Sequence, residues 1–386
     1  MQPIFDFIAV LLLAGAAQGV LQAMALLTIP RGNRMANRVL ALLLILFAAS
    51  ITLHTLAHTR NLFEFPHLIK TAAPLPFLFG TLFYFYVKTL TRREFSFDKK
   101  SLWHFLPPVL CATSLIPFYL QSAEDKIQHL LGDFVRPCTS GAVISWLTLI
   151  HLLIYIAASA NLLRTHADKI KESFSSLEKI NLNWLRNLLV VYALDWSALL
   201  LWQIYSREIA AANYIWLLAS LAICAIGYMG LRQPEIFSGT EEAMAAQEAT
   251  RKKYEKSTLN PAKAEAYLQK LLHFMADKKP YRNSDLSLHG LARTLSISPH
   301  HLSQIINERL RQNFFEFVNS HRVEEAKKML RDAALANINI AQIGFDAGFS
   351  SVSAFNTAFK KYTGMTPSQF RRERGEARFQ EIATNT

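Results

Sequence analysis

The sequence predicts an all-α chain of two dissimilar parts. A bundle of seven transmembrane helices comes first, followed on the cytoplasmic side by a smaller module containing two helix-turn-helix units. Three observations carry this prediction. Charge is unevenly spread: residues 1–250 hold 19 Lys/Arg and 16 Asp/Glu, whereas residues 251–386 hold 22 and 13. Charged residues are therefore about one in seven of the first stretch and about one in four of the second, and only the second density is ordinary for a soluble domain. Uncharged runs of about 20 residues recur along the first part, the length a helix rising 1.5 Å per residue needs to cross a bilayer core of about 30 Å. An eight-residue pattern repeats once in the second part, 52 positions apart. A hydrophobic content of 51% with only 18% charged residues excludes a disordered chain. Cys111, Cys138 and Cys224 are odd in number and scattered, which excludes a disulfide framework or a zinc-ligand cluster.

The expected membrane part is residues 1–232, with spans at about 7–30, 39–59, 66–87, 101–123, 138–163, 187–206 and 209–231. Five of these contain no Asp, Glu, Lys or Arg; 66–87 carries only Lys70, and 187–206 only Asp195. Buried helices of a large soluble protein rarely run 20 residues without charge. The N-terminal Met1-Gln-Pro-Ile-Phe-Asp6 lacks a basic region and no small-residue cleavage site follows, so the first span is expected to be retained. With the N-terminus outside, the inner loops carry 13 Lys/Arg and the outer loops five. That positive-inside bias puts the C-terminal part in the cytoplasm. Trp103, Trp184, Trp202 and Tyr205 lie toward span ends, as interfacial aromatics do.

Ionisable groups inside spans are costly and therefore candidate sensing positions. Asp195 and His151 are the two central ones, and His54 and His58 lie at the end of the second span. Each fits either a ligand or proton site or a plain interhelical hydrogen bond. Pro74, Pro76, Pro107 and Pro108 are potential kinks. No channel filter or transporter repeat accompanies them.

Residues 233–260 read as a linker. A lead-in helix over 261–281 follows, opened by Asn260 as cap and Pro261 at the first helical position, with an apolar stripe at Leu268, Leu271, Leu272 and Met275. Residues 282–375 then carry the repeat: Leu291-Ala-Arg-Thr-Leu-Ser-Ile-Ser298 aligns with Ile343-Gly-Phe-Asp-Ala-Gly-Phe-Ser350. Each copy has a large apolar residue, a small one where helices approach (Ala292, Gly344), and a three-residue turn whose middle residue plugs the core. Each turn opens a second helix. In the first, Ser298 caps and Pro299 follows; Leu302, Ile305 and Ile306 face inward and His300, Ser303 and Gln304 outward. In the second, Phe355, Phe359 and Tyr362 face inward; Val352, Ser353, Asn356, Thr357, Lys360 and Lys361 face outward. Two helices with a short turn, the second polar on its free face, is the arrangement that reads DNA. One copy is weak support; two in register are much stronger. Between them, 313–332 reads as a helix about 30 Å long, close to the separation of successive major grooves.

Ser298-Pro-His-His-Leu302, Arg322-Val-Glu-Glu-Ala-Lys327 and Gly348-Phe-Ser-Ser followed by Phe359-Lys-Lys-Tyr-Thr-Gly-Met-Thr-Pro-Ser-Gln-Phe-Arg371 resemble the AraC/XylS-type transcription regulators. The resemblance covers about a quarter of the chain and does not extend to the spans. It implies a bacterial protein with a seven-helix DNA-binding domain that places two recognition helices on promoter DNA. By position it makes His300, Ser303, Gln304, Val352, Ser353 and Thr357 base-facing. Asn356, Lys360 and Lys361 are added from helical spacing, for base edges or phosphates. Arg311 departs from the family, which usually has a glycine there, and neither reading helix begins with an arginine able to grip guanine.

Together these readings point to a membrane-embedded one-component transcription regulator, its partners being promoter DNA, the bilayer, a second copy of itself and an unidentified signal. The alternative is a membrane sensor or transporter whose C-terminal domain serves protein interaction or autoregulation. No Gly-rich phosphate loop, metal-ligand spacing or nucleophile–base pair is present in the sequence, so neither an enzyme nor a cofactor is expected.

Overall fold

In the computed structural model, residues 6–29, 33–92, 97–135, 139–177, 182–205, 209–232 and 259–373 are described. They are helical apart from turns and one isolated β-bridge, and fall into two compact units. The first comprises Met1–His166 and Leu182–Ser238; the second comprises Ala167–Asn181 and Gly239–Thr386.

In the first unit, α1 (Phe7–Thr28) opens where the Asp6 carboxylate accepts from the Ala9 amide, satisfying one free donor of the first turn. Asn33 does the same for α2 (Arg34–His58) through Met35 and Ala36, while its own amide donates to the Thr89 carbonyl. That carbonyl lies in α3 (Leu75–Thr91). The long helices α7 (Thr139–Ser173), α8 (Asn183–Tyr205) and α9 (Ile209–Arg232) follow later in the chain. α1 packs on α2 and α9, α2 on α3, and α8 on α9, around a core that includes Leu40, Leu44, Ile51, Phe79, Leu152, Leu185 and Ile226. Gly15 permits the α1–α9 approach, because a Cβ there would lie 1.6 Å from Ser220 Oγ. Leu21, Leu27, Leu147, Ile154 and Leu221 are each more than half exposed on the outer faces of α1, α7 and α9. Helices apolar inside and out are what lipid requires and water penalises.

Among the described residues, four helical stretches are long and apolar enough to cross a membrane: Phe7–Thr28, Arg34–His58, Val143–Ser173 and Asn213–Arg232. Two of the seven expected spans are built differently. Over 66–87, the helix begins only at Leu75; a 3₁₀ turn (Pro66–Leu68) and further turns precede it, with Lys70 at φ 63°. Over 101–123, the chain forms a 3₁₀ segment (Lys99–Phe105), α4 (Leu106–Ser114) and α5 (Ile116–Tyr119). The prolines explain both breaks: lacking an N–H and crowding the preceding turn, Pro76, Pro107 and Pro117 are accepted only in the first turn of a new helix. α4, at nine residues and about 14 Å, is far shorter than a span. The next segment, expected as a loop, is instead α6 (Ala123–Val135), with Glu124 and Asp125 in its first turn.

In the second unit, Asn260 caps α10 (Pro261–Lys278), as the sequence suggests. Leu271 and Met275 are fully buried in the same core as Leu291, Leu295, Leu302 and Ile306, so the lead-in helix packs with the helices that follow it. α11 (Leu288–Leu295) and α12 (Pro299–Arg309) form the first helix-turn-helix; α14 (Ile340–Asp346) and α15 (Val352–Thr363) form the second. α13 (Phe314–Arg331) is the strut between them, opened by a capping box of Asn313 and Glu316. Its first half, Phe314, Phe317 and Val318, belongs to the core of the first helix pair. Its second half, Val323, Ala326 and Leu330, belongs with Ile343, Phe349, Phe355 and Phe359 in that of the second. Among the described residues the second unit thus holds α10 to α15 and the helical residues 367–373, a count of seven that includes the lead-in helix expected to precede the domain.

Candidate nucleic-acid interface

The repeat read in the sequence is a repeat of backbone geometry. Ser296 and Gly348, 52 positions apart, both adopt positive φ, at 54° and 101°. The following apolar residue turns back in each case. The Ile297 amide donates to the Ala292 carbonyl at 2.9 Å, and Phe349 to Gly344 at 3.0 Å. Each of these amides reaches a carbonyl five residues back, which closes the helix end and buries the apolar side chain as a plug. Only Gly serves at 348, because a Cβ would lie 2.2 Å from the Tyr281 carbonyl oxygen in addition to the left-handed strain. The caps differ by one register step: Ser298 Oγ accepts from His301, whereas Ser351, not Ser350, accepts from Ala354.

On α12, Leu302, Ile305 and Ile306 are buried, which leaves His300, Ser303 and Gln304 half-buried on the other side. Gln304 donates to Glu308 at 3.1 Å, and Asn307 donates to Ser303 Oγ at 3.4 Å. Both are exposed, exchangeable bonds between neighbours on one helix face, and a base edge can compete for the same amide. On α15, Phe355 and Phe359 are buried, and Val352, Ser353, Asn356, Thr357, Lys360 and Lys361 are exposed. Ser353, Asn356, Thr357 and Lys360 form one polar surface, with the apolar Val352 at its start. Lys361 is committed elsewhere: its Nζ lies 2.8 Å from Glu316 Oε1 at the start of the strut. This hydrogen bond raises the lysine pKa and lowers that of Glu316. Tyr362, expected inward, is instead 37% exposed, and its hydroxyl donates to the Glu316 carbonyl. The two residues therefore tie α15 to the strut.

Arg311 takes the left-handed conformation, with φ 52°, so the turn the family makes with glycine is made here with arginine. The Gln312 amide still reaches back to the Ile306 carbonyl, at 3.4 Å.

Sequence reasoning missed the polar hub that joins the halves. Glu325 is buried and accepts from Lys279 at 2.9 Å, from Arg282 and from the Tyr281 hydroxyl at 3.2 Å. Burial alone pushes this carboxyl up, but the hydrogen bonds from Lys279 and Arg282 outweigh it and hold the pKa down at about 2. Tyr281 is raised to about 12 by its burial and by Glu325. Arg322 is fully buried, and burial lowers its pKa to about 10. The signal was present in the sequence: residues 314, 318, 322, 326 and 330 are spaced as one helix face, apolar at every position except Arg322.

In the first unit the candidate sensing residues are not brought together by any described bond. Asp195 is buried, and its Oδ1 meets no donor. The His151 ring lies against Phe77 and Tyr155, with centroids 5.2 and 4.6 Å away, and neither ring nitrogen has a hydrogen-bond partner. The histidines at the end of α2 are better connected. Asp6, His58, Asn213 and His54 form a chain with links of 3.0, 3.1 and 3.1 Å, and His54 stacks on Trp216. Asn213 and Asp6 in this chain had no signal in the sequence beyond their polarity.

Comparison with known proteins bears on the second unit. A family model described as a helix-turn-helix domain matches residues 291–373, which include all nine candidate DNA-facing residues. The uncharacterized transcriptional regulatory protein YesN of Bacillus subtilis (strain 168) is 32% identical over 114 residues, 29% of this chain and 30% of its own length. An uncharacterized HTH-type transcriptional regulator of Staphylococcus aureus (strain COL) is 37% identical over 92 residues, 24% of this chain and 12% of its own. The chain thus spans under a third of the length of these relatives. Among solved structures, the C-terminal domain of AraT, a response regulator from Geobacillus stearothermophilus, is 30% identical, with 30% of this chain and 88% of that one covered and a TM-score of 0.25.

Proposed function

We propose, on the premise that the C-terminal part of this chain is an AraC-type helix-turn-helix domain of the transcription-regulator class, that the whole protein is a membrane-embedded one-component regulator. The first unit sits in the bacterial inner membrane and receives a signal; the second reads promoter DNA with α12 and α15. The observation that carries this reading is the pair of helix-turn-helix units in matching geometry at the two ends of one strut of 18 residues, about 27 Å long. That length suits successive major grooves on one face of DNA, about 34 Å apart, once the width of the reading helices is added. The apolar outer faces of α1, α7 and α9 support the bilayer as the medium of the first unit.

His300, Ser303 and Gln304 read one half-site, and Val352, Ser353, Asn356 and Thr357 the other. Lys360 holds a phosphate, and Lys361 chiefly braces α15 against the strut. Without a guanine-gripping arginine, specificity rests on amide and hydroxyl contacts, bridging water and DNA shape. The inner-loop excess of basic residues supports an outside N-terminus and a cytoplasmic second unit. Pairing of two copies on DNA supplies the affinity that residues 282–375, with a net charge of only +5, lack singly. Asp195 and His151 remain the intramembrane positions proposed for sensing.

The test is selection of binding sites from random DNA by the full chain in lipid nanodiscs. The expected product is a site with two short half-sites about one helical turn apart. Gln304→Ala should relax preference in one half and Ser353→Ala in the other. Binding no tighter to any selected sequence than to random DNA would overturn the reading.

A further inference from the structure

The second unit contains a segment that is remote in sequence from the helix-turn-helix module. The last turns of α7, from Ala167, and the residues after it up to Asn181 cluster with it. Beyond the last turn of α7 the chain lies beside the entry to α11. Phe174 and Ser287 form an antiparallel bridge. The Ser175 amide donates to the Leu286 carbonyl at 3.3 Å, and the Ser175 hydroxyl donates to the same oxygen at 2.6 Å. The Ser176 and Ser350 hydroxyls are 2.8 Å apart.

Arg322 shows that this is a fitted site. A buried guanidinium must place five N–H donors. Here Nε donates to the Tyr281 carbonyl at 2.7 Å. Nη1 donates to the Ser175 carbonyl at 2.9 Å and Asn319 Oδ1 at 3.2 Å; Nη2 donates to Ser175 Oγ at 3.0 Å and the Asn283 carbonyl at 2.8 Å. Two of the five donors end on Ser175, which is itself 1% exposed. Withdrawing the segment leaves part of a buried cation without acceptors, which proteins rarely tolerate.

The segment also touches both halves of the module. Leu286 and Ser287 open α11 in the first half, Arg322 lies midway along the strut, and Ser350 precedes the cap of α15 in the second. We infer that residues 174–176 are an internal strap that occupies a docking surface formed by 286–287, Arg322 and Ser350, fixes the two reading helices relative to each other, and thereby places DNA affinity under the control of α7 and α8. The docking itself stands on the contacts alone; its effect on DNA rests on the function proposed above. DNA with two half-sites binds tightly only to a module whose reading helices already have the right separation, so a docked strap is the high-affinity form.

Two measurements on the full chain in nanodiscs decide this. With Cys111, Cys138 and Cys224 replaced by Ser, the pair Ser176→Cys and Ser350→Cys should form a disulfide under mild oxidation. Cleavage at a protease site inserted in 233–258 should then leave the two fragments joined within one chain. Absence of the cross-link, or a cross-link only between chains, overturns the strap; the latter makes a second copy the occupant. In the second measurement, Ser175→Pro should weaken binding to the selected two-half-site DNA about tenfold, Ser175→Ala less so, and the oxidised cysteine pair should restore it. Unchanged or tighter binding by Ser175→Pro overturns the control of affinity. Failure of the unmodified chain to prefer any DNA refutes the function, while the cross-link still reports on docking.

Discussion

Glu325 is the residue whose removal tests the physical account of the module most directly. Glu325→Gln keeps the shape of the side chain and stands in for its protonated form. The wild-type carboxyl falls from an ordinary value of 4.5 to about 2 in the folded protein. A depressed carboxylate contributes stability that is complete above its unfolded pKa and disappears as pH falls through the folded one. At pH 7 the shift corresponds to roughly 3 kcal/mol, at 1.36 kcal/mol per pKa unit. At pH 3, already below the unfolded pKa, linkage leaves about 1.4 kcal/mol. The variant should therefore be destabilised by about 3 kcal/mol at neutral pH and by only half as much at pH 3. Hydrogen exchange of the α13 amides in the full chain, read by mass spectrometry and converted to opening free energies, measures both values. A penalty that stays the same at the two pH values would show that the loss comes from packing and not from the charge network.

Three further outcomes follow from the same geometry. Arg311→Gly should protect the turn after α12 by about 0.5–1 kcal/mol, since it relieves a left-handed arginine at the cost of some unfolded-state entropy; the exchange experiment reads it, and no gain would mean that the arginine conformation is unstrained. Gly348→Ala combines φ 101° with a Cβ 2.2 Å from a carbonyl oxygen, and should cost roughly 3 kcal/mol and abolish protection of α14. Lys360→Ala should weaken all DNA sequences alike and reduce the slope of log affinity against log salt by about 1, whereas Lys361→Ala should change the slope little and instead loosen α15 from the strut.

Much of this protein was decided by its sequence. Helices that bury one face show it as a period, so α10, the two helix-turn-helix units and the strut are legible from apolar spacing, and their starts from Asn260, Ser298 and Asn313. The two matching turns follow from the repeat itself, whereas the left-handed backbone of Ser296 and Gly348 is seen only in the structure. The four long apolar stretches are equally legible, because composition over 20 residues is a local property. The spans over 66–87 and 101–123 mark where composition misleads: hydropathy does not register that proline restarts a helix.

What only the tertiary structure decided are the contacts between residues far apart in the chain. Ser175 reaches Arg322 across 147 positions, Lys361 reaches Glu316 across 45, and Asn213 reaches His58 across 155. Sequence period reports which face of a helix is buried, but not what covers it. A buried arginine in an apolar series states only that acceptors must come from somewhere, and a serine between α7 and α8 gives no sign that it supplies two of them. Hydrogen-bond satisfaction in a closed interior is a property of the assembled fold, and there the charge-poor and charge-rich parts of the chain cease to be separate readings.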